Sequence, residues 1–337
     1  MFNPLALHGF GQPLRAQSRL WLNRSMPDAL DHIHDLGAFV SASPSSFHAA
    51  REGARRLAAA GFTELDESLD WPAEPGKYHV VRDGALIAWI VPQGAGPGTG
   101  FSILGTHTDS PSFKLKPQPT TGRLGWLQAG VEVYGGPLLN SWLDRELQLA
   151  GRLVTMDGEE HLVETGPLLR FPQLAIHLDR AVNEGLKLDK QQHMNPVWGL
   201  GDPSTADLLE LLAARAGLSA DQVGGYDIVA ADTQEPRTFG ADNEFFASGR
   251  LDNLSSVHAG LAALIAAAET KTDGSIAVLA AFDHEEVGSG TRQGADSTFF
   301  EDVINRAAHA LEVDPDQLRA CLASSFLLSA DNAHAMH

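Results

Sequence analysis

Cysteine is almost missing from this 337-residue sequence, which contains only Cys321. One thiol excludes an internal disulfide framework and a zinc finger built on cysteines. The sequence also lacks a G-x-S-x-G nucleophile motif, a G-x-x-x-x-G-K-S/T phosphate loop and an H-E-x-x-H zinc motif. Any metal must therefore be held by histidine, aspartate and glutamate, a donor set that favours zinc, manganese or cobalt.

Basic residues and long apolar runs are scarce as well. The chain has 24 lysines and arginines against 43 aspartates and glutamates, a formal net charge of −19. Because phosphate binding needs a basic face, this balance argues against nucleic acid as a partner and suits a cytoplasmic protein. No run of about 18 apolar residues occurs, which predicts that the chain does not span a membrane.

The pattern of elements predicts a mixed α/β unit interrupted by a β-rich unit. Residues 1–27 contain three arginines and no acid; we predict a disordered extension, with a targeting peptide as the alternative. Short strand candidates, QLAIHLDR (173–180) among them, fill residues 113–245. The α/β pattern then resumes with a predicted helix at 252–269 and a strand at 275–282.

Three apolar strand candidates end in clusters of polar residues. Residues 101–107 lead into GTHTDS, residues 275–282 into FDHEE, and residues 326–331 into SADNAH. Open α/β sheets bind ligands beyond the carboxyl ends of their strands. Polar clusters that recur at equivalent points of the topology therefore indicate a functional site.

Single residues of these clusters also have ordinary structural interpretations. His107 and Asp109 are predicted to point the same way, and a metal-bound imidazole commonly donates its other N–H to a carboxylate. On its own, however, an H-x-D pair is more typical of a structural or solvated pair. Asp252 is typical of a helix cap, and Asp331 of a cap or a loop.

Glu285 and Glu286 are harder to explain structurally. On a segment predicted to be extended, their carboxylates diverge and can serve different purposes. One can bind a metal, and the other can accept a proton from a metal-activated water. A surface loop is the alternative, but the pair follows an apolar strand and precedes VGSG, whose glycines allow close backbone approach.

Five motifs in order, GTHTDSPSFKLKP, VEVYGGP, RLDNLSS, FDHEEVGSG and SADNAHAMH, resemble the aspartyl aminopeptidase family of two-metal exopeptidases. The resemblance implies a mixed-sheet, zinc-exopeptidase-like α/β catalytic domain (28–112 and 246–337) with an inserted β-rich dimerisation domain (113–245). It implies two divalent metal ions, zinc or else manganese or cobalt. It also implies release of amino-terminal Asp or Glu from peptides, by a homo-oligomer built from dimers into a tetrahedral dodecamer.

The resemblance also implies metal ligands. His107 and Asp331 would bind the first metal, Glu286 would bind the second, and Asp252 would bridge the two.

Catalytic roles are implied for three further residues. Glu285 would be the general base, and Asp109 would orient the imidazole of the first metal's histidine. His177 would reach the site of the neighbouring subunit and stabilise the oxyanion there. A half-buried strand histidine is the alternative interpretation of His177.

Family members continue beyond the SADNAH motif, which predicts that the C-terminal part of the catalytic domain is missing here. The second metal would lose its histidine, and activity would be impaired. His334 and His337 are candidate substitutes for that histidine, although we expect both to be loop residues. Two other functions stay open: a two-metal amidase or deacylase acting on small molecules, and a non-catalytic assembly subunit of the same fold.

Overall fold

The computed structural model describes residues 29–270 and 274–334. The predicted N-terminal extension and His337 lie outside the described residues. The helices of the described ranges are α1 (Ala29–Ser41), α2 (Ser46–Ala59), α3 (Leu208–Arg215), α4 (Leu251–Ala268), α5 (Phe299–Ala310) and α6 (Pro315–Ala323). The strands are β1 (Thr63–Glu64), β2 (Gly76–Arg82), β3 (Ala85–Val91), β4 (Phe101–His107), β5 (Ser112–Arg123), β6 (Trp126–Tyr134), β7 (Leu147–Thr155), β8 (Glu160–Glu164), β9 (Val197–Leu200), β10 (Val223–Asp232), β11 (Arg237–Phe239), β12 (Phe245–Ala247), β13 (Ile276–Phe282) and β14 (Phe326–Ser329).

The first and last parts of the chain form one mixed six-stranded sheet in the order β1-β2-β3-β13-β4-β14. Strands β13, β4 and β14 run parallel, whereas β2, β3 and β13 pair antiparallel. β3 is buried along its whole length, because its sequence ALIAWIV is apolar on both faces, as a strand covered on both sides requires. The predicted mixed-sheet fold class is confirmed.

Helices cover both faces of this sheet. On one face, α1, α2 and α4 enclose an apolar cluster that includes Phe39, Leu57 and Leu261. On the other face, α5 and α6 contribute Val303 and Cys321 to a second cluster. Cys321 is buried there.

The middle of the chain forms a second six-stranded sheet, in the order β8-β7-β10-β5-β6-β9, with α3 packed on it. Its neighbouring strands pair antiparallel. The strand predicted at 173–180 is wrong: this segment forms turns. Leu174, Ile176 and Leu178 alternate as in a strand, but no strand in the described part of the chain pairs with them, and all three are exposed.

An arginine–aspartate cluster joins the two sheets. The Arg152 guanidinium on β7 donates to Asp83 in the β2–β3 turn at 2.6 Å and lies over the Phe47 ring of α2 at 4.5 Å. Arg292 donates to the other Asp83 oxygen at 2.7 Å. The loop that follows β13 is therefore tied to the second sheet through one carboxylate.

In the described part of the chain, α4 has the length and apolar composition of a membrane-spanning helix. Its apolar residues Leu254, Val257 and Leu261 are buried against the first sheet and α1. These contacts are those of a core helix.

Packing between α4 and the sheet predicts a large cost for truncating Leu279 on β13, which is 1% exposed. We expect Leu279→Ala to lower the free energy of unfolding by about 2–5 kcal/mol, through lost burial and the cavity left behind. Leu200→Ala, at a leucine that is 75% exposed, is the matched control and should change it by less than about 0.5 kcal/mol. Urea unfolding followed by tryptophan fluorescence measures both, and equal effects would contradict this account of the core.

Candidate metal centre

The three polar clusters meet at one edge of the first sheet. β4 lies between β13 and β14 and runs parallel to both, with His107 paired to Phe282 and Gly105 paired to Ser329. The carboxyl ends of the three strands are therefore adjacent.

His107, the last residue of β4, lies at the centre of this edge. Its Nδ1 lies 3.1 Å from the backbone oxygen of Asp109 and 3.4 Å from a carboxylate oxygen of the same residue. Its Nε2 faces Asp252 at 3.3 Å, Asp331 at 3.6 Å and Glu285 at 3.9 Å. Contact with Asp109 assigns the proton to Nδ1 and leaves Nε2 free to act as a ligand.

Asp109 is 4% exposed and receives hydrogen bonds from two directions. The backbone N–H of Glu285 donates to its Oδ1 at 3.1 Å, and the N–H of Glu286 donates to Oδ2 at 3.2 Å. The Tyr134 hydroxyl at the end of β6 donates to Oδ2 at 2.7 Å. Burial acts to raise the pKa of Asp109, but the His107 and Tyr134 contacts outweigh it and lower that pKa.

The sequence predicts an extended segment at Glu285 and Glu286, but the structure differs. Residues Glu285–Val287 form a single 3-10 turn directly after β13. Because the backbone N–H groups of Glu285 and Glu286 both donate to Asp109, the turn is tied to the end of β4. Glu285 is exposed and Glu286 is half-buried.

Asp252 lies at the start of α4, as predicted, but its carboxylate does not cap the helix. Its backbone is non-helical, and no side chain caps the first turn. The Ser110 hydroxyl donates to the Asp252 backbone carbonyl at 2.7 Å, and the side-chain amide of Asn253 donates to the Ala330 backbone carbonyl at 2.8 Å. These two bonds connect the start of α4 to the segments that follow β4 and β14.

His107, Asp252 and Asp331 each offer one ligand atom, and these atoms lie within 4.8 Å of one another. Tetrahedral zinc with bonds of about 2.1 Å separates its ligand atoms by roughly 3.4 Å, close to the 3.3 and 3.6 Å measured from Nε2. The donor set and its spacing therefore fit a zinc ion.

The pKa values of the site residues also indicate that the site binds a cation. Burial acts to lower the pKa of His107, but Asp109, Glu285 and Asp252 outweigh it and raise that pKa to about 9. Burial, together with Asp331, raises the pKa of Asp252. Burial, followed by the charges of Asp109 and Asp252, raises the pKa of Glu286 to about 7. Crowded carboxylates whose pKa values rise in this way are stabilised by a cation.

A cavity of about 300 Å³ opens onto this cluster, and its lining includes His107, Glu285 and Asp331. A larger cavity, about 480 Å³, lies between the two sheets and reaches Asp109 and Asp252.

His177 lies apart from this cluster, in an exposed turn. The interpretation as a half-buried strand histidine is therefore wrong. No hydrogen bond or ion pair joins His177 or His334 to the residues above, within residues 29–270 and 274–334. His334 is exposed.

Sequence reasoning missed Tyr134 and Ser110 as residues of the site. Tyr134 is 25 positions from Asp109 and belongs to the other sheet. Its place in VEVYGGP, one of the five motifs, was the available signal. The pairing of Tyr134 with Ser112 brings it beside the segment that carries Asp109.

Known proteins resemble this chain over most of its length. Residues 39–337 match the family model for aminopeptidase I zinc metalloproteases (M18). A probable M18 family aminopeptidase 2 from Streptomyces avermitilis is 51% identical over 312 residues, covering 91% of this chain and 72% of that protein. The protein of the same description from Mycobacterium leprae is 43% identical, over 90% of this chain and 72% of that protein.

Solved structures share the fold. Ape4 in its complex with Nbr1 superposes with a TM-score of 0.87 and 35% identity over 92% of this chain, and this chain covers 65% of Ape4, slightly less than two thirds. The mApe1 dodecamer of S. cerevisiae superposes with a TM-score of 0.79 and 28% identity, over 91% of this chain and 73% of that one. The family match, the identities and the shared fold agree: this chain belongs to the M18 family of zinc aminopeptidases.

Proposed function

We propose that this chain is a metallo-aminopeptidase that releases amino-terminal Asp and Glu from peptides. The observation that carries the proposal is the cluster around His107 Nε2, where Asp252, Asp331 and Glu285 lie within 3.9 Å. One imidazole and several carboxylates around a common point are the ligands of a hydrolytic zinc site. M18 membership supplies the class of reaction.

His107, Asp252 and Asp331 are the proposed ligands of the first ion, and Asp252 and Glu286 those of a second. The charge of Asp252 contributes to the raised pKa of Glu286, so the two carboxylates lie near each other. This proximity supports Asp252 as a ligand shared by the two ions. Zinc bound there would polarise the scissile carbonyl and make a water acidic near neutral pH.

Glu285 is the proposed general base. Its carboxylate oxygen lies 3.9 Å from His107 Nε2 and is open to solvent, so it can accept a proton from the attacking water and return it to the leaving amine. Asp109 fixes the imidazole of His107 through Nδ1. The proposal of selectivity for acidic amino-terminal residues is based on the five motifs that resemble those of aspartyl aminopeptidases.

The adjacent glutamates provide a matched test of these roles. We expect Glu285→Gln to lower kcat by about 10²–10⁴-fold, because the base is lost, while zinc per chain stays at the wild-type level. We expect Glu286→Gln to lower zinc per chain as well as kcat. Elemental analysis and single-substrate kinetics measure both. Equal zinc loss in the two variants would contradict the assignment of Glu285 as base.

Substrate selectivity separates the proposed function from its alternatives. We expect turnover of Asp- and Glu-p-nitroanilide, little turnover of Leu-p-nitroanilide, and none of N-acetyl-Asp-p-nitroanilide, because an aminopeptidase needs a free α-amine. Release of acetate from the acetylated substrate would favour a deacylase, and release of p-nitroaniline from it would favour an amidase that accepts a blocked amine. A zinc-loaded chain that cleaves none of the panel would favour a non-catalytic assembly subunit.

Residues 113–245 are the proposed dimerisation domain, inserted in a catalytic domain made of 28–112 and 246–337. The separation of β1–β4, β13 and β14 from β5–β10 into two sheets supports this division, with β5 beginning at Ser112 and β12 crossing the second boundary. Exposed Leu174, Ile176 and Leu178 around His177 support a subunit contact there. A dodecamer is described for mApe1, and we propose a homo-oligomer of dimers here. We also propose a cytoplasmic location, without membrane or nucleic-acid partners.

Subunit mixing tests whether His177 acts in the neighbouring active site. His177→Ala and Glu285→Gln chains, each impaired alone, should recover activity when unfolded together and refolded as a mixture. A mixed dimer then contains one site with wild-type Glu285 and a wild-type His177 from its neighbour. Refolding each variant alone is the control. A mixture no more active than the two variants alone would show that His177 does not act across subunits.

A further inference from the structure

The end of β6 extends from the second sheet into the metal centre. Tyr134, the last residue of β6, donates its hydroxyl hydrogen to Asp109 Oδ2 at 2.7 Å. It is the shortest of the three hydrogen bonds to that carboxylate, since the two amide bonds measure 3.1 and 3.2 Å. Burial, followed by the Asp109 charge, raises the pKa of Tyr134, so the phenol stays protonated as a donor.

Asp109 depends on this hydroxyl. Its carboxylate is buried, and a buried carboxylate without enough donors is destabilised or takes up a proton. Without the Tyr134 hydroxyl, Oδ2 would keep the amide of Glu286 at 3.2 Å as its one donor among residues 29–270 and 274–334. The carboxylate could then turn away from His107 Nδ1, which would leave the Asp109 backbone oxygen at 3.1 Å as the Nδ1 contact and orient the imidazole less firmly.

Gly135, the residue after β6, lies beside Glu286. Gly135 has a φ of 68°, and a Cβ placed on it would lie 2.9 Å from Glu286 Oε2 and 3.0 Å from Glu286 Cβ. A side chain at this position would require a strained backbone and a shift of Glu286. The chain at the end of β6 thus bonds to one carboxylate of the centre and lies beside another.

We propose that Tyr134 is a positioning residue of the metal centre, which holds Asp109 against His107 and thereby strengthens zinc binding. The inference rests on the proposed zinc site and extends it to the inserted sheet. The inserted unit is then part of the metal centre as well as a surface for dimerisation.

The chain contains three tyrosines, and they form a matched set. Tyr78 donates to the Glu74 carbonyl at 2.9 Å, and Tyr226 donates to the Lys116 carbonyl at 2.6 Å. Each Tyr→Phe substitution therefore removes one phenol hydrogen bond of similar length. The Tyr134 bond, by contrast, ends on a carboxylate of the metal centre.

The test is the zinc affinity of the full chain and its three Tyr→Phe variants, measured by competition with a chromophoric chelator, alongside the unfolding temperature of the metal-free proteins. We expect Tyr134→Phe to weaken zinc binding about 10-fold, the lower end of the range for groups that orient a ligand. Tyr78→Phe and Tyr226→Phe should bind zinc like wild type, even where their metal-free unfolding temperatures fall.

Asp109→Asn provides a second line of evidence through a double-mutant cycle. Because Tyr134 acts through Asp109, adding Tyr134→Phe to Asp109→Asn should weaken zinc binding by much less than the 10-fold seen alone. Wild-type binding by Tyr134→Phe, equal weakening in all three tyrosine variants, or full additivity in the cycle would each overturn the positioning role. Wild type that binds no zinc would overturn the proposed zinc site itself, which is a distinct result.

Discussion

The buried carboxylate of Asp109 is the group on which the arrangement of the metal centre depends. It joins the imidazole of His107, the turn that carries both glutamates, and the hydroxyl of Tyr134. A carboxylate is stable in such a place only when several donors surround it. The end of β4, the turn after β13 and the end of β6 must therefore be in position together, so the centre forms only when both sheets have packed.

The carboxylates proposed to bind the metal repel one another at this edge of the first sheet. Asp252, Asp331 and Glu285 converge on one imidazole nitrogen, and the pKa values of Asp252 and Glu286 rise accordingly. Without a cation the fold must tolerate this repulsion, which it does by leaving Asp252 and Asp331 half exposed to solvent. A divalent ion would convert the same crowding into attraction. A bound cation would therefore stabilise the carboxylates of this cluster.

The inserted sheet supports the site from two sides. Tyr134 donates a hydrogen bond to Asp109, and Gly135 lies beside Glu286, where an added Cβ would come within 3.0 Å of it. Arg152, through Asp83, holds Arg292 in the loop that follows the glutamates. A unit that the sequence marks only as β-rich therefore determines the geometry of residues on the other sheet. In a family whose solved members include a dodecamer, this link offers a physical route between subunit assembly and the metal centre.

The sequence by itself determined the central strands, the start of α4 within one residue, and the polar clusters at equivalent ends of three strands. These features follow from local apolar patterns and from the rule that parallel strands end at a common edge. The sequence could not indicate that Glu285 begins a 3-10 turn, since that turn is held by Asp109, 176 positions away. Nor could it exclude a strand at 173–180, because alternation alone does not show whether a partner strand exists. The bond from Tyr134 to Asp109 was decided only by the tertiary structure, which brings one edge of the second sheet against the first.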